Sequence, residues 1–162
     1  GEEVALEAIL DNGQLIPLAL FDKPDPLVGP YFEETIYVTP SRLDDATQQE
    51  ILRVTAAAAS AIGLQMGPLH AELRINDTGV YLIEVAGRSI GGLCSQTLQF
   101  GSDESLETLI VRQAIGRFAD RPQRMGAAGG VMMIPIPAAG IASADSHAAR
   151  RRKLSRVYFC FC

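Results

Sequence analysis

Hydrophobic and polar residues alternate through a segment in the middle of the chain. The alternation runs from Leu69 to Ile75, and its polar members are His70, Glu72 and Arg74. Side chains on a strand point alternately to its two faces, so this period of two is typical of a strand with one buried face. We therefore predict a strand here, with the polar residues sharing one side.

A second β-prone run, residues 80–86, follows a short loop of Asp77, Thr78 and Gly79. Glycine accepts the left-handed backbone conformation that the last position of a three-residue hairpin loop needs. The two runs are therefore predicted to form a hairpin. The register expected for this loop pairs Asn76 with Val80, Arg74 with Leu82, and Glu72 with Glu84.

Two glutamates directly opposite each other would repel, because their Cβ atoms lie only ~5 Å apart. A cation between Glu72 and Glu84 would remove the repulsion, and hard carboxylate oxygens are ligands that Mg²⁺ or Mn²⁺ prefers. We therefore predict that Glu72 and Glu84 are metal ligands. The alternative is that both are solvated residues on an exposed face of the hairpin.

The remaining patterns predict two further hairpin strands, a short strand, two helices and a last strand. In chain order these are strands at 4–10, 15–21 and 35–39, a helix from about 45 to 62, a helix at about 105–117 and a strand at 131–135. The first helix is expected to begin after Asp44 or Asp45 and to stop at Gly63. The order, with hairpins instead of βαβ crossovers, indicates an α+β fold with an antiparallel sheet.

Helical spacing also predicts which residues face inward. The expected inner faces are Ile51, Leu52, Thr55, Ala58, Ala59 and Ile62 on the first helix, and Leu106, Leu109, Ile110, Gln113 and Ala114 on the second.

The composition of the chain restricts the class of protein and the compartment that we expect. The chain has 162 residues, 48% of them hydrophobic, and a net charge of −5. Without an apolar run long enough to span a bilayer, we expect a globular protein with no membrane partner. An odd count of three cysteines argues against a disulfide framework and favours a reducing cytoplasm.

The charge divides the chain into two parts. Residues 145–162 carry +4, and the rest carries −9. An acidic body argues against nucleic acid as a partner. We expect a domain over 1–140 followed by a basic tail at 141–162, whose apolar end has no predicted partner, and we expect the chain to be a piece of a longer polypeptide.

Further candidate residues surround the two glutamates. Arg88 begins a glycine-rich loop after the second strand, and a guanidinium binds carboxylates and phosphates in a bidentate manner. Gly91 and Gly92 let backbone amides approach an anion. His70 shares the Glu72 face and is either a site residue or a structural histidine. Lys23, in a proline-stiffened loop, could reach a phosphate or could simply be solvated.

These residues resemble the C-terminal part of an ATP-grasp domain. That family has an acidic residue on one strand, then Glu-x-Asn-x-Arg and a glycine-containing loop after the next strand. Here Glu72 is followed by Glu84, Arg88 and the Gly91–Gly92 pair. The resemblance covers about residues 1–140, and it is greatest to the carboxylate–amine ligases, which include L-amino-acid ligases.

The resemblance implies an ATP- and Mg²⁺-dependent ligase that activates a carboxylate as an acylphosphate and couples it to an amine. It implies that Glu72 and Glu84 bind the metal, that Arg88 is catalytic and, with Gly91 and Gly92, binds the carboxylate substrate, and that Lys23 and His70 contact ATP phosphates. Small-molecule carboxylate and amine partners are expected, and a homodimer is the candidate assembly.

Two departures from the family pattern leave alternatives open. Ala86 stands where the family usually has a metal-binding Asn, and the family's phosphate-covering loop and adenine-contacting hinge would lie before Gly1. The isolated chain is therefore expected to be inactive. The alternatives are a biotin-carboxylase-like or purine-pathway enzyme, and a degenerate ATP-grasp module that serves binding or assembly.

Overall fold

Two adjacent antiparallel hairpins form the centre of the fold. The structure, a computed structural model, describes residues 1–25, 36–118 and 122–134, and the backbone of 157–161. Its elements are β1 (Glu2–Asp11), β2 (Gln14–Lys23), β3 (Ile36–Thr39), α1 (Asp45–Ala61), β4 (Gly67–Asn76), β5 (Gly79–Ala86), a 3₁₀ helix (Cys94–Thr97), β6 (Gln99–Phe100), α2 (Leu106–Ala114), β7 (Arg124–Met125), β8 (Gly129–Ile134) and β9 (Val157–Phe161).

Seven strands form the main sheet in the order β5-β4-β1-β2-β3-β8-β9, and β6 and β7 form a small second sheet. The pairs from β5 to β8 are antiparallel, which confirms the predicted α+β fold. The last pair, β8 with β9, is parallel. The apolar end of the chain, which had no predicted partner, thus pairs with β8, while residues 141–156 of the predicted tail lie outside the described residues.

Strand β1 lies between β2 and β4, and both of its faces are buried because its residues pack alternately into two core clusters. Val4, Leu6 and Leu10 pack towards α1, in the cluster that contains Ile51 and Ala59 of that helix. Residues of the opposite parity pack on the other face of the sheet, where the cluster contains Ala5, Ile9, Phe21, Tyr37, Leu106 and Leu109. Every second residue of β1 therefore faces α1, and the others face the side where the candidate site lies.

Helix α1 begins where the sequence predicts. Asp44 is its N-cap, and the Asp44 carboxylate accepts the N–H of Thr47 at 2.9 Å. The helix ends at Ala61, and Gly63 then adopts a φ of 77°, in the left-handed region. Ile62 was wrongly predicted to face inward: it lies beyond the last helical turn, where helical spacing no longer sets direction, and it is 60% exposed.

Helix α2 is shorter than predicted, because it ends at Ala114 and Gly116 adopts a φ of 70°. Leu106, Leu109 and Gln113 are buried as expected. Ala114, predicted to face inward, is the last helical residue and is exposed. Neither helix in the described part of the chain combines the length and apolarity needed to cross a membrane.

The loop of the β4–β5 hairpin differs from the prediction. Asn76 pairs with Gly79, so the loop has two residues and not three. The Asn76 side chain closes it by accepting the N–H of Thr78 at 2.8 Å, a local turn that competes with the predicted loop. Arg74 therefore lies opposite Tyr81 and not Leu82.

A β-bulge restores the register further along the hairpin. The pairing shifts between Leu73 and Glu72, and Ile83 is the extra residue on β5. Glu72 consequently lies opposite Glu84, as predicted, although the pairing nearer the loop is shifted.

Helix α1 provides a test of the core assignment. We expect Ile51→Ala to lower the free energy of unfolding by about 2–5 kcal/mol, because Ile51 is fully buried against the sheet. The control is Ile62→Ala at the C-cap of the same helix, which should change the free energy of unfolding by less than about 0.5 kcal/mol, because Ile62 is mostly exposed. Urea denaturation followed by circular dichroism measures both, and equal losses would contradict the assignment.

Candidate functional site

Cross-strand register places the charged residues in rows on one face of the sheet. Glu3 of β1 lies opposite Lys23 of β2 and Arg74 of β4. Two residues further along β1, Ala5 lies opposite Glu72, which in turn lies opposite Glu84 of β5.

The third row holds Glu7 opposite His70, with Ala86 beyond His70 on β5. The three rows together bring four carboxylates and several cations onto one face, because residues two apart on a strand share a side.

A cavity of about 530 Å³ opens beside these rows. Six of the seven predicted site residues line it: His70, Glu72, Glu84, Arg88, Gly91 and Gly92. The seventh, Lys23, places its Nζ 3.6 Å from Glu72 Oε1. The structure thus brings all the predicted residues together, and the two glutamates line one cavity.

Among the residues that the structure describes, Glu72 and Glu84 have only long contacts. His70 Nε2 lies 3.4 Å and Lys23 Nζ 3.6 Å from Glu72 Oε1, and an Arg88 guanidinium nitrogen lies 3.5 Å from Glu84 Oε1. Strong charge-assisted hydrogen bonds are about 2.7–2.9 Å long. These two carboxylates therefore keep coordination capacity that a cation could use, and their oxygen chemistry fits Mg²⁺ or Mn²⁺.

Glu3 and Glu7, in contrast, are held by short contacts. Lys23 Nζ lies 2.5 Å from Glu3 Oε1, and Arg74 donates to Glu3 Oε2 at 3.0 Å. Arg74 thus pairs with Glu3 of the neighbouring strand. The Lys23 ammonium also lies 5.3 Å from the centre of the Tyr37 ring, within cation–π range.

Glu7 is the most buried carboxylate of the site. Its side chain is only 1% exposed, and Glu7 Oε1 lies 2.6 Å from His70 Nδ1. Glu7 Oε2 accepts the backbone N–H of Ile90 at 3.1 Å. Both oxygens of this carboxylate are therefore occupied, one by β4 and one by the loop that follows β5.

Burial raises the pKa of Glu7, while the hydrogen bond and charge of His70 oppose that rise. For His70, burial disfavours the charged ring, but the hydrogen bonds and charges of Glu7 and Glu72 outweigh burial and raise its pKa to about 9. A raised pKa of Glu7 favours a proton on the Glu7 carboxyl group, whereas a raised pKa of His70 favours that proton on the imidazole. We assign it to His70, because two carboxylates flank the ring and Ile90 also stabilises the Glu7 anion.

The Arg88 loop is anchored by its backbone and by one apolar side chain. Arg88 donates to the carbonyl of Ser89 at 3.1 Å, and its side chain is otherwise exposed. Ile90 is buried in the core. Gly92 has a φ of 62°, which favours glycine, whereas Gly91 has open space where a Cβ would lie.

The sequence analysis did not identify three residues of the site: Glu3, Glu7 and Tyr37. Of these, Tyr37 lines the cavity. A signal for Glu7 was present, because it is a lone charged residue within the apolar run from Val4 to Leu10. A carboxylate is seldom fully buried unless it is paired, so its position in a central strand indicates a specific partner. Cys94 is buried, and it also lines the cavity.

Within the described ranges, no group of three or more His, Cys, Asp and Glu side chains is arranged to hold a metal ion by itself. A cation at Glu72 and Glu84 would need further ligands. Mg²⁺ commonly meets this need with water and substrate phosphates.

Comparisons with known proteins give a family model and relatives that match this chain. A family model described as an ATP-grasp domain matches residues 1–97. Alanine–anticapsin ligase from Bacillus subtilis is 31% identical over 123 residues, which are 74% of this chain and 25% of that protein.

Two solved structures have the same fold. The crystal structure of an L-amino acid ligase from Bacillus licheniformis is 31% identical with a TM-score of 0.62, covering 75% of this chain and 30% of that one. Phosphoribosylglycinamide synthetase from Anaerococcus prevotii, 17% identical, has a TM-score of 0.61 over 72% of this chain and 29% of its own, and shows the fold alone. The chain thus spans about a quarter of the length of the curated relatives it matches.

The protonation of His70 can be tested by NMR on the complete protein that carries this chain. We expect the His70 imidazole to titrate with a pKa of about 9, and Glu7→Gln to lower that pKa. Because the pKa rises on folding from 6.5, the stabilisation from the charged ring is complete below pH 6.5 and is lost as the pH rises through about 9. His70→Gln identifies the signal, and a midpoint near 6.5 in the wild type would contradict the assignment.

Proposed function

The chain belongs to the ATP-grasp family, and from that membership we propose that it forms the metal- and carboxylate-binding part of an ATP-dependent ligase. In the proposed reaction, the carboxylate of one small molecule attacks the γ-phosphorus of ATP, which forms an acylphosphate and releases ADP. An amine then attacks the acyl carbon, and phosphate leaves.

The names of the relatives support the ligase class. Alanine–anticapsin ligase and L-amino acid ligase are each 31% identical to this chain over about three quarters of its length. The chain matches only 25–30% of those proteins, so the activity of the complete protein is a proposal.

The observation that carries the proposal is the pair of loosely held carboxylates, Glu72 and Glu84, opposite each other in one cavity. Their long contacts leave both able to ligate a cation, and we assign Mg²⁺ or Mn²⁺ to them. Glu72 and Glu84 would hold that ion, which would supply positive charge to offset the negative charge of phosphoryl transfer.

Arg88 is the proposed catalytic residue. It lines the cavity beside Glu84, and its side chain is 57% exposed, so its guanidinium is accessible to a substrate carboxylate. The fork of a guanidinium matches a carboxylate with two parallel hydrogen bonds. Backbone N–H groups of Gly91 and Gly92, on the same cavity wall, would donate to the oxyanion that develops when the amine attacks.

Lys23 and His70 are proposed to act on the negative end of ATP. The Lys23 ammonium lies between Glu3 and Glu72, close enough to approach a phosphate at a metal ion held by Glu72. Both ring nitrogens of His70 face carboxylates, so its first role is to neutralise and orient Glu72, and phosphate contact would follow only from a movement of the ring.

A second candidate function is nucleotide binding without ligation. Ala86, opposite His70, offers no side-chain oxygen to a second metal ion. A family member without that ligand could retain ATP binding while losing phosphoryl transfer. Magnesium-dependent ADP formation that requires both a carboxylate and an amine supports the ligase, whereas ATP binding without any turnover supports the second candidate.

The metal role predicts a large loss of turnover. Glu84→Gln and Glu72→Gln in the complete protein should each lower kcat/KM by about 10²-fold or more, because an amide oxygen carries no charge to bind the cation. ADP release measures this, and Glu50→Gln, an exposed glutamate on α1, is the control. Wild-type turnover in Glu84→Gln with the fold intact would defeat the assignment.

The role of Arg88 predicts that charge alone is insufficient. Arg88→Lys should lower kcat by about 10²-fold or more, since an ammonium cannot reproduce the bidentate fork. Arg53→Lys is the matched control, because Arg53 also makes paired contacts to a glutamate but lies on the outer surface of α1. If Arg88→Lys and Arg53→Lys have the same kcat, Arg88 has no part in the mechanism.

A further inference from the structure

Glu7 joins three parts of the chain that are far apart in sequence. It lies on β1, its first oxygen meets His70 on β4 across 63 residues, and its second meets Ile90 across 83 residues. With an exposed fraction near zero, the carboxylate has no access to water as a substitute partner. Both hydrogen bonds are therefore required to stabilise the buried carboxylate anion at this position.

We propose that Glu7 is a positioning residue that holds the metal-binding carboxylate and the arginine loop in fixed relation to each other. The proposal rests on the ligase function proposed above and adds a residue that touches neither the metal nor a substrate.

The first half of the argument concerns Glu72. The 2.6 Å contact at His70 Nδ1 fixes the ring, because a ring held at one nitrogen can rotate only by losing that bond. The fixed ring presents Nε2 to Glu72 Oε1 at 3.4 Å. Glu7 therefore acts on Glu72 through the imidazole, as outer carboxylates orient histidines at metal sites.

The second half concerns the loop. The Ile90 N–H that Glu7 accepts lies two residues after Arg88, so this hydrogen bond fixes the backbone from which the guanidinium extends. The Ile90 side chain, 8% exposed, packs in the core and adds a second anchor. Within the described residues, the Arg88 side chain makes only long or local contacts, so the position of its backbone determines where its guanidinium can reach.

Glu3 does not duplicate this role. Its two oxygens bind Lys23 and Arg74 within its own row of the sheet, and neither contact reaches the loop after β5. In the described part of the chain, Glu7 is the carboxylate that accepts a backbone hydrogen bond from that loop, whereas Glu84 has only a long side-chain contact to Arg88.

Two variants of the complete protein separate positioning from folding. Glu7→Asp shortens the side chain by one carbon–carbon bond, about 1.5 Å, so it cannot hold both partners. The double variant Glu7→Met with His70→Leu replaces the buried pair by apolar groups, an exchange that usually preserves stability. Gln113→Met is the control, because it removes a buried hydrogen bond to Leu10 away from the cavity.

The primary measurement is amide hydrogen exchange by mass spectrometry, which does not depend on catalysis. We expect exchange in residues 88–92 to increase by about 10-fold or more in both Glu7 variants, with the core of β1 and β4 protected, and to stay at the wild-type rate in Gln113→Met. Unchanged exchange at 88–92 in folded Glu7 variants overturns the proposal. A uniform increase over the whole sheet also overturns it, since that result shows a purely structural role.

The second measurement is steady-state kinetics with saturating ATP. We expect kcat to fall about 10–100-fold in the Glu7 variants, while the KM for ATP of Glu7→Asp, which keeps His70, changes less than about threefold. Wild-type kcat in the double variant overturns the positioning role. If the wild-type protein has no ligase activity, the function proposed above fails by itself, and the exchange experiment still decides whether Glu7 holds the loop.

Discussion

The contact between the Glu7 carboxylate and the His70 imidazole is the interaction on which this site depends. A carboxylate in the central strand of a sheet is far from water, and an unpaired buried charge costs several kcal/mol. Glu7 is tolerated only because β1 and β4 pair in the one register that places His70 directly opposite it. A slip of one residue would turn Glu7 towards the apolar cluster beneath α1, so the charge itself selects the register.

The same pairing divides the acidic residues into two kinds. Both oxygens of Glu3 and of Glu7 are hydrogen-bonded to partners at 2.5–3.1 Å, and these contacts keep the strands in place. Glu72 and Glu84 have contacts of 3.4–3.6 Å and keep capacity for a ligand. The positive charges of four side chains balance these four carboxylates: Lys23, His70, Arg74 and Arg88. This balance explains how a sheet face so rich in carboxylates can form before any metal ion binds.

The part of the site that depends on neighbouring residues could be predicted from the sequence. The β4–β5 hairpin and the loop that carries Arg88 follow from period-two alternation and glycine placement. The facing of Glu72 and Glu84 was predicted from a three-residue loop, and it holds only because the bulge at Ile83 compensates for the shorter loop. The loop length could not be predicted, because the Asn76 side chain closes a tighter turn and the bulge at Ile83 absorbs the difference. The prediction that Ile62 faces inward was wrong for a similar reason, since the helix ends one residue before the helical periodicity does.

The sequence by itself determined the kinds of elements, the residues that could ligate a cation and the family resemblance, because each depends on residue type at short spacing. Tertiary structure alone decided that β1 lies beside β4, which puts Glu7 against His70 and Ile90. Local periodicity does not encode which distant strands become neighbours, since that choice depends on the total burial and pairing of the sheet. The charge states of Glu7 and His70 depend on that choice, because solvation and hydrogen bonding come from partners 63 and 83 residues away.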